Sequence, residues 1–311
     1  MQEGSRRAVV TALVANLGIA VAKFVAWTAT GAASMLAEAV HSMADTGNQA
    51  LLLLGGERAK KDPTPEHPFG YGRERYFWAF VVSIVLFTLG SLFAIHEGAE
   101  KLRHPHELGS MGWAIGVLLL AVVFEGFALR TAVKEANRVR GRHSFLSFVR
   151  RAKSPELPVI LLEDFGALVG LLFALVGVGL AEVTGDPRFD ALGSLAIGIL
   201  LGVIAVVLAV EMKSLLIGEA ANPEWRREVV AAIESEPSVR RLLDLRTQHL
   251  GPEEILVCAR IELDPGLDFQ GVARAIDSVQ ERMRARIPAE VRIYLEPDLG
   301  GPEHGQADLE A

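Results

Sequence analysis

The chain has 311 residues, of which 50% are hydrophobic and 22% charged, with a formal net charge of -7 and a mean hydropathy of +0.31. That composition is too apolar for an ordinary soluble enzyme of this length, and the single cysteine, Cys258, excludes an internal disulfide framework. The net charge by itself points to no partner, because the basic residues are confined to particular loops, and no nucleic-acid partner is expected.

Six apolar runs are long enough to cross a bilayer, where roughly 20 residues suffice. They fall at 8–31, 33–55, 77–95, 113–129, 157–180 and 189–210. The first is too long for the apolar core of a cleavable leader and lacks a small-residue cleavage site, so it is expected to stay in place. Basic residues precede run one (Arg6, Arg7) and crowd the loops after run two (Arg58, Lys60, Lys61, Arg73, Arg75) and run four (Lys134, Arg138, Arg140, Arg142, Arg150, Arg151, Lys153). The intervening loops are poorer, with Lys101, Arg103 and Arg188 only. Positive charge stays inside, so both termini are expected in the cytoplasm and the chain in a cell (inner) membrane.

In chain order, run one carries Asn16 and Lys23; Lys23 either snorkels or pairs with a carboxylate in the bundle. Run two, SMLAEAVHSMADTGNQALLLLG, carries His41 and Asp45. Four residues is just over one helical turn, so imidazole and carboxylate share a face. Together they suit a divalent cation such as zinc or manganese. The following DPTPEHPFGYGRER reads as an ordered turn, and His67 with Glu66 and Asp62 is a weak candidate for a second metal site. Tyr76, Phe77 and Trp78 resemble an interfacial belt. His96, Glu97, Glu100, His104 and His106 read as a solvated helix end. Run four carries Glu125, which either relays protons, braces a partner such as Lys23, or lies near the membrane boundary.

Run five, LPVILLEDFGALVGLLFALVGVGL, carries the adjacent acids Glu163 and Asp164. Neighbours on a helix point about 100° apart, so one of them faces a given site squarely. At 1.5 Å per residue, Asp45 lies roughly 15 Å from the inner end of run two and Asp164 roughly 10 Å from that of run five. His41, Asp45 and Asp164 can therefore converge. Run six is rich in small residues and starts with Asp190 at the outer boundary.

From Pro223 the pattern reads helix (224–235), strand (241–250), strand (255–263), helix (269–286), strand (291–295). The period-two alternation of ILVCARIEL and VRIYLEP is that of half-buried strands. The αββαβ order suggests a ferredoxin-like sheet with helices on one face. The expected organisation is a six-helix transmembrane domain (1–212), a soluble α+β domain (213–298) and a disordered tail (299–311).

SMLAEAVHSMAD in run two, HPFGYGRER after it, the acid of LLED in run five, and SLLIGEA leading into an αββαβ domain resemble the cation diffusion facilitator family of divalent-metal exporters. The LLED form resembles the subgroup of mitochondrial zinc transporter relatives. The resemblance implies a homodimer, joined through the cytoplasmic domain, that exchanges a cytoplasmic divalent cation for protons by alternating access. In that family runs two and five each contribute an HxxxD or DxxxD pair. Here His41 and Asp45 supply one pair, and Asp164 supplies the second member of the other. Ile160 stands where its first member belongs, which leaves Glu163, Asn48 or a water for the fourth donor. The same His41, Asp45 and Asp164 are the groups for which metal and protons compete. Tyr71 stands where the loop motif often has a second histidine. Arg260 and Tyr294 stand where some zinc members carry cytoplasmic ligands, leaving His249 and Glu296 as the nearest candidates, both more readily structural.

The expected function is Zn2+/H+ antiport, with the metal as substrate and no cofactor; the alternatives are the same fold moving Mn2+, Fe2+ or Co2+, or an intramembrane metal-dependent hydrolase. The hydrolase would need three ligands, a general base and an open coordination position, and no HExxH or GxSxG string occurs. The reading is therefore a transporter rather than an enzyme.

Overall fold

A computed structural model describes residues 3–105, 111–141 and 144–298; His106, Arg142 and the tail from 299 lie outside the described residues. The chain divides into two compact units, Met1–Arg58 with Glu74–Lys213, and Ala59–Arg73 with Ser214–Ala311.

The first unit is helical. Helices α1 (Glu3–Thr30) and α2 (Ala33–Arg58) pack against each other, and α3 (Glu74–Val85) follows. A π-helical turn, Leu86–Leu92, links α3 to α4 (Phe93–Arg103) without a break, so a single 30-residue rod stands where the sequence shows run three. Next come α5 (Met111–Val139), a short α6 (Phe145–Arg151) capped by the Ser144 hydroxyl, α7 (Glu156–Thr184) and α8 (Arg188–Ile217). Among the described residues, four helices are long and apolar enough to cross a membrane: Glu74–Arg103, Ala114–Val139, Glu156–Thr184 and Arg188–Ile217. Helices α1 and α2 have 28 and 26 residues, and α2 is diluted by Glu38, His41, Asp45, Asn48 and Gln49.

One sequence boundary is corrected. The fourth run does not stop at Leu129: α5 continues to Val139 because Ala132 and Ala136 stay buried against Leu161 of α7. Lys134 and Arg138 therefore sit on a helix rather than in a loop, and α6 was not legible at all. The outer part of α4 closes on α8 through small residues. A Cβ on Gly98 would lie 2.8 Å from Ala191 O, and one on Gly198 would lie 2.8 Å from Ile95 N, so only glycine permits that backbone approach.

In the second unit the order is α9 (Pro223–Glu234), β1 (Val239–Gly251), β2 (Glu254–Leu263), α10 (Phe269–Arg286) and β3 (Glu290–Asp298). The sheet order is β1-β2-β3, with β1 antiparallel and β3 parallel to β2. Asn222 caps α9 by accepting from the Trp225 N–H, and Asp268 caps α10 by accepting from that of Gly271; both satisfy N–H groups that a helix start leaves unpaired. Central β2 alternates strictly: Ile255, Val257, Ala259, Ile261 and Leu263 are buried and their neighbours half-buried. That face meets Val229, Ala232 and Ile233 of α9 and Ala275, Val279 and Met283 of α10. Each large aliphatic side chain so buried contributes roughly 1.5–3 kcal/mol. His249 sits inside this core, fully buried, with its ring 5.6 Å from that of Trp225.

Candidate metal site

Helix α2 presents its polar residues toward the interior because every third or fourth position on that face is occupied by one: Glu38, His41, Asp45 and Asn48. His41, Glu38 and Asn48 are fully buried. The His41 Nε2 lies 3.5 Å from Asp45 Oδ2, the one-turn juxtaposition expected from the sequence. Neither ring nitrogen of His41 makes a hydrogen bond, and Asp45 Oδ1 and Asn48 Oδ1 are also buried without one. Leaving a buried polar atom unsatisfied costs about 1–3 kcal/mol, so the atoms on these successive turns of α2 each want a partner.

Helix α7 packs beside α2 and supplies the second wall. Glu163 is 4% exposed, and Asn48 Nδ2 donates to its Oε1 at 2.7 Å, tying α7 to α2. Asp164, one residue on, is half-buried. Glu163, Asp164, Glu125 of α5 and Lys23 of α1 are all close enough for their charges to act on Asp45. The interior thus gathers acids from three helices around one histidine. Among the described residues, no three His, Cys, Asp or Glu side chains stand at cation-binding spacing. Ile160 is half-buried one turn before Asp164 and packs against the Ala132, Ala136 and Leu161 cluster, which accounts for an apolar residue there.

Lys23 pairs with Glu38, not with Glu125. Its ammonium donates to Glu38 Oε2 at 3.1 Å and to Ser42 Oγ at 2.7 Å, and both charged side chains are fully buried. Glu38 was missed in the sequence although its spacing three residues before His41 puts it on the same face. The partner of Asp190 was also missed in the sequence. At the start of α8 it is fully buried and accepts from the Ala33 N–H at 2.6 Å, from the Ser34 N–H at 3.2 Å and from the Ser34 hydroxyl. It thereby caps α2 from α8, while the Lys101 ammonium stands 3.8 Å away and donates to Gly31 O.

In the connection after α2, His67 is exposed and tilts over Tyr71, with 4.7 Å between ring centroids, while Asp62 and Glu66 are exposed too. The prolines and glycines form a turn closed by paired backbone hydrogen bonds between Thr64 and His67. In the soluble unit Arg260 lies 3.9 Å from Asp298, Glu296 is exposed, and His249 Nδ1 lies 3.3 Å from Gly251 O.

A bundle of apolar helices whose interior holds acids and a histidine, joined to a small α+β unit, defines a membrane protein that handles cations. The family follows from direct comparison: the cation efflux transmembrane domain matches residues 9–217, and the cytoplasmic domain of cation efflux proteins matches residues 221–298. The chain belongs to the cation efflux family. It is 34% identical over 279 residues to the human protein named "Proton-coupled zinc antiporter SLC30A9, mitochondrial", a match covering 88% of this chain and 49% of that one. It is 30% identical over 262 residues to "Metal tolerance protein C4" of Arabidopsis thaliana, covering 84% and 57%. Against "Cation-efflux pump FieF" of Klebsiella pneumoniae (strain 342) it is 27% identical over 306 residues, covering 98% and 96%. The chain therefore spans about half the length of the first two relatives and nearly all of the third.

Proposed function

We propose that this chain is a divalent-cation efflux transporter that exchanges Zn2+ for protons, with the metal carried between α2 and α7. The observation that supports it best is the row of buried polar atoms without hydrogen-bond partners on α2, namely His41 Nδ1 and Nε2, Asp45 Oδ1 and Asn48 Oδ1. Imidazole and carboxylate oxygen suit zinc, and a dication satisfies several lone pairs at once. His41 and Asp45 are the ligands from α2 and Asp164 the ligand from α7. Glu163 is the fourth donor, already held at the helix interface by Asn48. Metal binding requires these groups deprotonated, so protons and zinc displace one another, and His41, Asp45 and Asp164 couple the two fluxes.

In this reading α1 and α2 join the four apolar helices as a six-span domain (1–212), and residues 213–298 form a ferredoxin-like cytoplasmic domain through which two copies associate. The protein sits in a cell (inner) membrane with both termini on the cytoplasmic side, by the distribution of basic residues. It works by rocking of helices rather than by covalent chemistry and needs no cofactor. The test is zinc flux into proteoliposomes under an imposed pH gradient. Asp45→Ala and Asp164→Ala are expected to abolish flux and Glu163→Ala to weaken it. Parent-like flux in Asp45→Ala and Asp164→Ala would overturn the assignment.

A further inference from the structure

Lys23 presents a difficulty for a site that must accept a dication. Its ammonium is hydrogen-bonded to Ser42, the residue adjacent to His41, and it lies within electrostatic reach of Asp45. A buried positive charge so placed repels an incoming metal ion with little solvent to screen it. Glu38 removes the difficulty. One carboxylate oxygen takes the Lys23 ammonium at 3.1 Å, so that the pair is neutral overall. The other oxygen, Oε1, is buried without a hydrogen bond and faces α7 at Gly170, where a Cβ would come within 2.6 Å of it. A side chain at position 170 would force this carboxylate oxygen to shift. The missing Cβ thus provides room for a counter-ion, and three helices are shaped around it: α1 for the ammonium, α2 for the carboxylate, α7 for the space.

We infer that Glu38 acts as the built-in counter-ion that makes the neighbouring site able to accept a divalent cation, by cancelling the charge of Lys23 rather than by touching the metal. The inference rests on His41 and Asp45 being metal ligands. Glu38 is a positioning residue, and its signature is a dependence on charge sign that a purely structural role does not produce. Removing the carboxylate charge exposes the cation and weakens zinc binding; removing the ammonium charge instead leaves an extra anion and does not weaken it; removing both returns binding to the parent level.

The experiment is zinc titration of the purified full-length protein in detergent at one pH and salt concentration, comparing the parent with Glu38→Gln, Lys23→Met, the double variant and Asp45→Ala. Glu38→Gln is expected to weaken zinc binding tenfold or more, Lys23→Met to leave it unchanged or tighter, and the double variant to lie within threefold of the parent. If Glu38→Gln does not purify as a folded protein, the step from Lys23→Met to the double variant reads the same carboxylate charge, and affinity is expected to fall across it. A double variant weaker than the parent by tenfold, or Lys23→Met weakened as much as Glu38→Gln, would overturn the counter-ion role and leave packing as the explanation. Parent-like binding in Asp45→Ala would instead overturn the metal-site reading beneath it, a result separate from the Lys23 and Glu38 comparison.

Discussion

The cap that α8 places on α2 yields the sharpest quantitative expectation. Asp190 accepts from two backbone N–H groups at the start of α2 and from the Ser34 hydroxyl, all in a fully buried setting. Helix α2 has no acid in its own first turn, so Asp190 supplies the negative charge that the positive end of the helix favours. Replacing it with alanine removes an N-cap worth about 1 kcal/mol and strands two buried donors at about 1–3 kcal/mol each. Allowing for overlap, the loss is about 3–5 kcal/mol, a large part of a typical folding free energy. Asparagine keeps the shape and one acceptor oxygen but loses the charge facing the helix end and Lys101, and costs about 1–2 kcal/mol. The assay is thermal unfolding of the protein in detergent followed by circular dichroism, where the midpoints should order as parent, Asp190→Asn, Asp190→Ala. His41 lies seven residues beyond Ser34, about 10 Å along the helix, so fraying of the first turn stops short of it. Zinc affinity of the folded fraction should therefore stay within threefold of the parent. An alanine variant as stable as the parent, or an asparagine variant less stable than alanine, would refute the capping argument.

Other expectations follow from contacts already described. Gly170→Ala places a methyl group 2.6 Å from Glu38 Oε1, so the carboxylate must shift but keeps its charge; zinc binding should weaken by less than in Glu38→Gln, and Gly179→Ala on the same helix, with open space around it, should leave it unchanged, while equal effects of the two alanines would refute the steric reading. Asn48→Ala removes the donor that holds Glu163 and leaves a buried carboxylate oxygen unpaired, which should cost about 1–3 kcal/mol in thermal stability and reduce zinc flux. His67→Ala, on an exposed ring stacked only on Tyr71, should leave flux in proteoliposomes within twofold of the parent; a larger loss would restore the loop as a second metal site. In the soluble unit, Ile261→Ala on the buried face of β2 should destabilise by about 2–5 kcal/mol in denaturant titration, whereas a change at exposed Tyr294 should cost under about 0.5 kcal/mol.

What the sequence revealed and what it hid have separate physical causes. The αββαβ order and the strand faces were legible because a half-buried strand writes its geometry into a period of two, as Ile255 to Leu263 do. His41 and Asp45 were legible because both lie on one helix, where spacing fixes direction. The contacts that join helices were not. Nothing in the residues around Asp190 says that it reaches a helix start 156 positions away, and Lys23 admits several carboxylates as partners until the bundle chooses Glu38. The apolar run ending near Leu129 misled for the opposite reason. Hydropathy reports lipid-facing length, whereas α5 ends where its packing against α7 ends.

The π-helical turn at Leu86–Leu92 has a consequence for the rod that contains it. Buried positions before it are Tyr76, Ala79, Val82 and Ser83; within and after it they are Leu86, Gly90, Ser91, Ala94 and Gly98. The wide turn takes up about one extra residue between α3 and α4, so that Gly98 in the second half of the rod still meets α8. Deleting a single residue within 86–92 would let the turn rewind to ordinary α-helix with one residue fewer over nearly the same rotation, so Gly98 would keep its face toward the α8 backbone it touches. A one-residue deletion inside this stretch should therefore cost less thermal stability than one inside α3 or α4, where no wide turn takes up the change of register.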